Sequence, residues 1–330
     1  MANYTFRNLV FEGGGVKGIA YGGALKELEH RGILSGIERV AGASAGAITA
    51  VLLAVGYNYK EVSDIVAETN FNDFADDSLG VVRDANRFLN DFGWHEGEVF
   101  RRWIGNLIRN KTGKKDLTFR ELQTKSNSKE LYLVVTNLSD QVAEVFSHKT
   151  TPDVAVRDAV RMSMSIPLYF KCVRYGSDKD IMVDGGVTWN YPVNIFDHES
   201  YLSNPDNGEK VTYNTSDGYE FNHETLGFRL DAKDEIAANK NNWSNVPKDI
   251  DNILNYAVAM IGFMRSAANK RHLHKNDWNR TIFIDSLDVT TTDFDLSREK
   301  INALLESGER GVNAYFDWRD NDAEFNKKPS

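Results

Sequence analysis

The chain has 330 residues, 41% hydrophobic and 26% charged, with a net charge of −9. That is enough apolar material for a sizeable core, and the acidic balance argues against nucleic acid as a partner, which needs a basic face. Its one cysteine, Cys172, excludes an intrachain disulfide framework and a cysteine-based zinc cluster, and is expected as a buried thiol.

In chain order, Leu9–Phe11 reads as a strand entering the glycine cluster Gly13 to Gly18. Ile19–His30 follows as a helix, with Ala20, Ala24, Leu25 and Leu28 near one face and Gly32 ending it. Ile37–Ala41 is a second short strand and Ala45–Val55 a very apolar helix. From Val40 to Tyr59 no charge interrupts the chain, the length of a membrane span. Its Gly, Ala, Ser and Thr content gives little insertion energy, so it reads as a buried strand, turn and helix. Glu98–Arg109 is an amphipathic helix; Leu131–Thr136 and Ala143–Ser147 are strands. Val154–Met164 is a helix closed by Pro167, and Ile181–Val183 is a strand ending on Asp184-Gly-Gly.

Residues from about Tyr201 to Glu220 are polar and read as a long surface loop. Strands resume at Thr225–Leu230 and Thr281–Asp285, separated by an amphipathic helix over Ile250–Met264. A helix over Ser297–Phe316 closes the chain. The alternation predicts one α/β domain over residues 1–330, with a mostly parallel sheet and helices on both faces. The polar loop and a helical insertion at about residues 245–275 lie within it. The first seven residues carry no basic stretch followed by an apolar run, so a cytoplasmic protein is expected.

Three places carry chemistry. Gly13, Gly15 and Gly18 fit the G-x-G-x-x-G dinucleotide pattern. A Walker A loop fails, because Ile19 stands where Lys-Ser/Thr is required. A dinucleotide loop passes locally but lacks an acid at the end of the next strand, which reads Ala41-Gly-Ala-Ser. An oxyanion hole built from backbone amides and a structural glycine turn are the other readings.

The second place is Gly42-Ala43-Ser44-Ala45-Gly46, a G-x-S-x-G sequence between a strand and an apolar helix. Small residues flank the serine of a nucleophile elbow because the turn is tight, leaving Oγ at a helix N-terminus. The bland alternative is a small-residue turn that lets the helix pack closely on the sheet. The third place concerns the missing base, since a serine hydroxyl needs a group to take its proton. None of the seven histidines sits in a compelling strand-end turn, and His272 and His274 lie in a basic run expected to face solvent. Asp184, at a strand end before two glycines, is the most suggestive acid; alone, Asp-Gly-Gly reads as an ordinary turn.

Taken in order, Glu12-Gly-Gly-Gly-Val-Lys-Gly18, Gly42-Ala-Ser-Ala-Gly46 and Asp184-Gly-Gly186 resemble the patatin-like phospholipase family. Asp158-Ala-Val-Arg-Met-Ser-Met-Ser-Ile-Pro167 resembles the block before its aspartate, and Val187-Thr-Trp-Asn-Tyr-Pro192 the continuation. The resemblance runs from about residue 6 to residue 316. It implies a three-layer α/β/α fold with a nucleophile elbow, and a Ser–Asp dyad with Ser44 as nucleophile and Asp184 as base. The amides of Gly13, Gly14 and Gly15 would form the oxyanion hole, and elbow geometry adds the amide of Ala45. Lys17 stands where such proteins carry a basic residue, suited to orienting the loop, meeting an anionic head group or facing solvent.

The implied activity is lipid acyl hydrolysis of the phospholipase A or lysophospholipase type, on a phospholipid or other acyl lipid at a membrane surface. It calls for no metal or organic cofactor. The Ile250–Met264 helix and its basic tail, Arg265, Lys270, Arg271 and Lys275, suit either a lipid-facing element or a core helix with a solvated end. Other classes remain: a catalytically silent binding or regulatory module, an acyltransferase using the same acyl-enzyme, and a nucleotide-binding oxidoreductase. Some relatives are bacterial effectors awaiting a protein or small-molecule activator, and no segment here identifies one.

Overall fold

The computed structural model describes residues 4–75, 92–211, 219–231, 259–260, 262–264 and 275–321. Strand β1 (Asn8–Phe11) leads through a 3-10 turn (Gly15–Ile19) into α1 (Ala20–His30). Then come β2 (Arg39–Ala43), α2 (Ala45–Ala54) and α3 (Tyr59–Glu68). Every residue of α2 is buried, as a helix apolar all round must be. Helix α3 starts at a reciprocal capping box between Asn58 and Glu61, which satisfies two N-terminal donors at once.

Short β3 (Gly93–His95) precedes α4 (Glu98–Thr112) and α5 (Phe119–Gln123). Strands β4 (Glu130–Asn137) and β5 (Val142–Ser147) form a hairpin, followed by α6 (Val156–Ser163). Next are β6 (Leu168–Phe170), β7 (Val173–Tyr175), β8 (Asp180–Asp184) and the one-turn α7 (Gly186–Trp189). The chain continues through β9 (Gly208–Val211), β10 (Tyr219–Asn222), β11 (Thr225–Asp231) and β12 (Thr281–Asp285) to α8 (Arg298–Asn321).

The main sheet runs β12-β11-β1-β2-β4 with every neighbouring pair parallel. Strand β4 is where the direction changes. Its whole length from Tyr132 to Asn137 pairs antiparallel with β5. Its other edge is divided: Arg39–Ala43 of β2 pair with residues 130–134, and β8 pairs antiparallel with residues 135–137. The two strands therefore approach each other head-on. Ala43 lies opposite Val134 and Asp184 opposite Val135, so the C-terminal ends of β2 and β8 meet.

Alternation sorts side chains onto two faces. Leu9, Phe11, Val40, Leu131, Leu133 and Val135 enter the large core beneath α1, α2 and α6. Val10, Ala41 and Tyr132 enter a second cluster closed by Tyr191, Val193 and Phe196, from the chain after α7. Helix α8 packs on α1 and β12.

The α/β class and mostly parallel sheet agree with the sequence, and so do most elements it marks. The polar stretch from 201 to 220 differs, because it holds the antiparallel pair β9–β10. The buried Glu224 carboxylate ties down its approach, accepting from the Ser203 N–H at 3.0 Å and Asn207 Nδ2 at 2.6 Å. Of the Ile250–Met264 helix, residues 259–260 and 262–264 are helical. Its remainder, Arg265, Lys270, Arg271, His272 and His274 lie outside the described residues. Among the described residues no helix is long and apolar enough to cross a membrane.

Candidate active site

The turn between β2 and α2 is a strained elbow. Ser44 has φ 51° and ψ −127°, a region in which a residue with a β-carbon is costly and which clusters at functional sites. Both glycines of the pentapeptide are sterically required. A Cβ on Gly42 would land on the Gly46 backbone, and one on Gly46 would land on the Phe11 carbonyl of β1. Gly46→Ala should therefore destabilise the protein by about 3 kcal/mol through overpacking, read as a lower urea midpoint. An unchanged midpoint would show that helix and strand are not in this close contact.

Ser44 and Asp184 are both fully buried. The Ser44 hydroxyl donates to Asp184 Oδ2 at 2.6 Å, and the Met164 sulfur lies 3.7 Å from Ser44 Oγ. No described histidine reaches that hydroxyl. The other carboxylate oxygen accepts from the Gly186 N–H at 2.8 Å, at the start of α7. Backbone bonds fix the aspartate further: its N–H donates to Ser165 O at 2.9 Å, and Thr136 Oγ1 donates to its carbonyl at 2.8 Å.

Ser44 has its own brace, one that sequence reasoning missed. Ser163 Oγ accepts from the Ser44 N–H at 2.9 Å while donating to Val134 O at 2.7 Å. Val134 is the residue at which the β2 pairing of β4 stops, so Ser163 pins the elbow to the junction of the two strands. Ser163 and Ser165 belong to the block before Pro167, and their spacing places one against the serine and the other against the aspartate.

The three glycines expected to act alike do not. The Gly13 N–H donates to Asn190 O at 3.0 Å, which removes it from the expected oxyanion donors. Among the described residues the N–H groups of Gly14, Gly15 and Ala45 are left without an acceptor. Gly15 has φ 59°, and a Cβ there would meet Thr291 O; the loop is thus clamped against the segment after β12. Lys17, half-buried on the 3-10 turn, lies near Glu12 and favours its ionised form. Cys172 is a buried thiol, as expected.

Behind the loop lies a buried charged group. Glu12 accepts from Asn190 Nδ2 at 3.1 Å and the Leu230 N–H at 2.9 Å. Arg229 is shared: it donates to Asp231 at 2.7 Å and stands 3.8 Å from Glu12. Burial pushes the Glu12 carboxyl up to about 7, against the pull of Arg229. An unfolded glutamate titrates at about 4.3. Folding therefore takes up a proton between these values, and the stability this lends is lost as pH rises through about 7. Glu12→Gln should flatten that slope, measured as urea midpoints at acidic and alkaline pH; an identical slope in the variant would assign it to another group.

Known proteins are similar to this chain in sequence and in fold. A family model described as patatin-like phospholipase matches residues 9–197, a span holding both Ser44 and Asp184. The chain is 30% identical over 314 residues to the uncharacterized protein YqhO of Bacillus subtilis, covering 91% of this chain and 94% of that protein. It is 26% identical over 190 residues to the probable lipid hydrolase 463L of Invertebrate iridescent virus 6, 58% of this chain and 63% of that protein. In fold it is similar to VipD from Legionella pneumophila, with a TM-score of 0.63 at 20% identity, covering 95% of this chain and 67% of that one. With a family model across the serine and the aspartate, and a bacterial relative matched nearly end to end, the chain belongs to the patatin-like phospholipase family.

Proposed function

We propose that the protein hydrolyses carboxylic esters of phospholipids, of the phospholipase A or lysophospholipase type, through an acyl-Ser44 intermediate. The observation that carries this reading is the 2.6 Å hydrogen bond from Ser44 Oγ to Asp184 Oδ2 across a strained elbow. It also weighs against a catalytically silent module. Asp184 takes the proton as Oγ attacks the ester carbonyl, and the oxyanion settles against the free amides of Gly14, Gly15 and Ala45. Collapse expels the alkoxide, which takes the proton back from Asp184 and leaves as the alcohol. Water, deprotonated by the same carboxylate, then releases the fatty acid.

A carboxylate is a weak base toward a serine hydroxyl, so oxyanion stabilisation has to supply much of the acceleration. One such donor is worth roughly 3 kcal/mol in other enzymes. The thioether of Met164 beside the nucleophile offers an apolar wall suited to an acyl chain. The probable lipid hydrolase among its viral relatives points to the same substrate class. The test is fatty-acid release from diacyl-phosphatidylcholine vesicles and from lysophosphatidylcholine, with and without cytosolic extract as a source of activator. Release from either supports the reading and sorts the two types; release from neither, under both conditions, overturns it.

A further inference from the structure

Asn190 holds both polar backbone groups of Gly13. Its carbonyl accepts the Gly13 N–H at 3.0 Å, and its Nδ2 donates to Gly13 O at 3.0 Å. The peptide joining Gly13 to Gly14 is trans, so its C=O and the Gly14 N–H point in opposite directions. Anchoring the one aims the other. Nδ2 also donates to Glu12 Oε1 at 3.1 Å, and the second Glu12 oxygen holds the Leu230 N–H.

Turning the amide over would set its oxygen against the Glu12 carboxylate and the Gly13 carbonyl, so the network dictates its orientation. Asn190 Oδ1 is left buried without a donor, packed where a Cβ on Gly13 would lie. The side chain is thus incompletely satisfied, which calls for an explanation. The segment after β8 brings base and clamp together, since Asp184 and Asn190 flank α7.

We propose that Asn190, held by Glu12, is a positioning residue that aims the Gly14 amide at the oxyanion of the reaction. This rests on the acyl-hydrolase reading above. Ionised Glu12 accepts from Asn190 and from the Leu230 N–H, whereas a protonated carboxyl gives up one acceptor and loosens the grip on Asn190. Among the described residues the charged groups facing Glu12 are Arg229 and Asp231 of β11 and Lys17 of the 3-10 turn; the ionisable Tyr21 of α1 also lies close. With the carboxyl raised to about 7, the clamp weakens as pH falls through neutrality.

The test compares wild type, Glu12→Gln and Asn190→Ala for kcat and KM on an ester reporter, for fluorophosphonate labelling rate, and for melting temperature. Both variants should lose about 10- to 100-fold in kcat, as for a weakened oxyanion donor, with KM within about twofold. Wild type should lose rate as pH falls through neutrality, and Glu12→Gln should lack that limb. Should Asn190→Ala fail to fold, the Glu12→Gln profile decides alone. An active wild type beside a Glu12→Gln enzyme with unchanged kcat and pH limb overturns the clamp only. A wild type that neither turns over nor labels overturns the hydrolase reading, and the clamp with it.

Discussion

Asp184→Asn should lower ester hydrolysis by about 10³-fold or more while the protein melts close to the wild-type temperature. Asparagine matches the shape, and its Oδ1 can still accept the Gly186 N–H that holds Asp184 at 2.8 Å. The backbone bonds to Ser165 and Thr136 do not involve the side chain. What disappears is the acceptor 2.6 Å from Ser44 Oγ, replaced by an amide N–H that cannot take a proton. Initial rates on an ester reporter and on phospholipid vesicles, beside a thermal melt, make the comparison. Undiminished turnover would remove Asp184 as the base.

Ser44→Ala should be still more damaging, with a loss of about 10⁴- to 10⁶-fold, as when other serine hydrolases lose the nucleophile. No described neighbour offers a second nucleophile on the Ser44 oxygen, whose contacts are Asp184 and the Met164 thioether. The Ser44 N–H to Ser163 bond survives the substitution, so the elbow should keep its geometry and an unchanged melt is expected. Activity retained in this variant would place the chemistry elsewhere.

The elbow was legible because its requirement is steric and local. Gly42 and Gly46 have no room for a side chain, and a strand–turn–helix pattern around G-x-S-x-G reports that directly. Asp184 was harder, because Asp-Gly-Gly at a strand end is also an ordinary turn. Its meeting with Ser44 follows from β2 and β8 dividing one edge of β4 from opposite directions. No local pattern announces such a register.

The glycine loop shows the same limit. Three consecutive glycines look equivalent in the sequence, yet Asn190, far along the chain, engages the Gly13 amide, while among the described residues the Gly14 and Gly15 amides have no acceptor. Glu12, Asn190 and Ser163 escaped notice because Asn190 and Ser163 brace distant backbone groups and Glu12 braces Asn190, contacts that carry no local sequence signature. Two motif stretches already contained the signal: Asn190 stands in Val187-Thr-Trp-Asn-Tyr-Pro192 and Ser163 in the block ending at Pro167. The β9–β10 pair was missed because its flanks are polar; a buried Glu224 network, rather than an apolar stripe, holds that region in place.

The most direct measurement is peptide-level mass spectrometry of the protein after reaction with a fluorophosphonate. A single adduct on the peptide holding Ser44, diminished by competing phospholipid vesicles and slowed in Asp184→Asn, is the expected result. An adduct on another residue, or ester hydrolysis that proceeds with Ser44 unlabelled, would contradict the Ser44–Asp184 account.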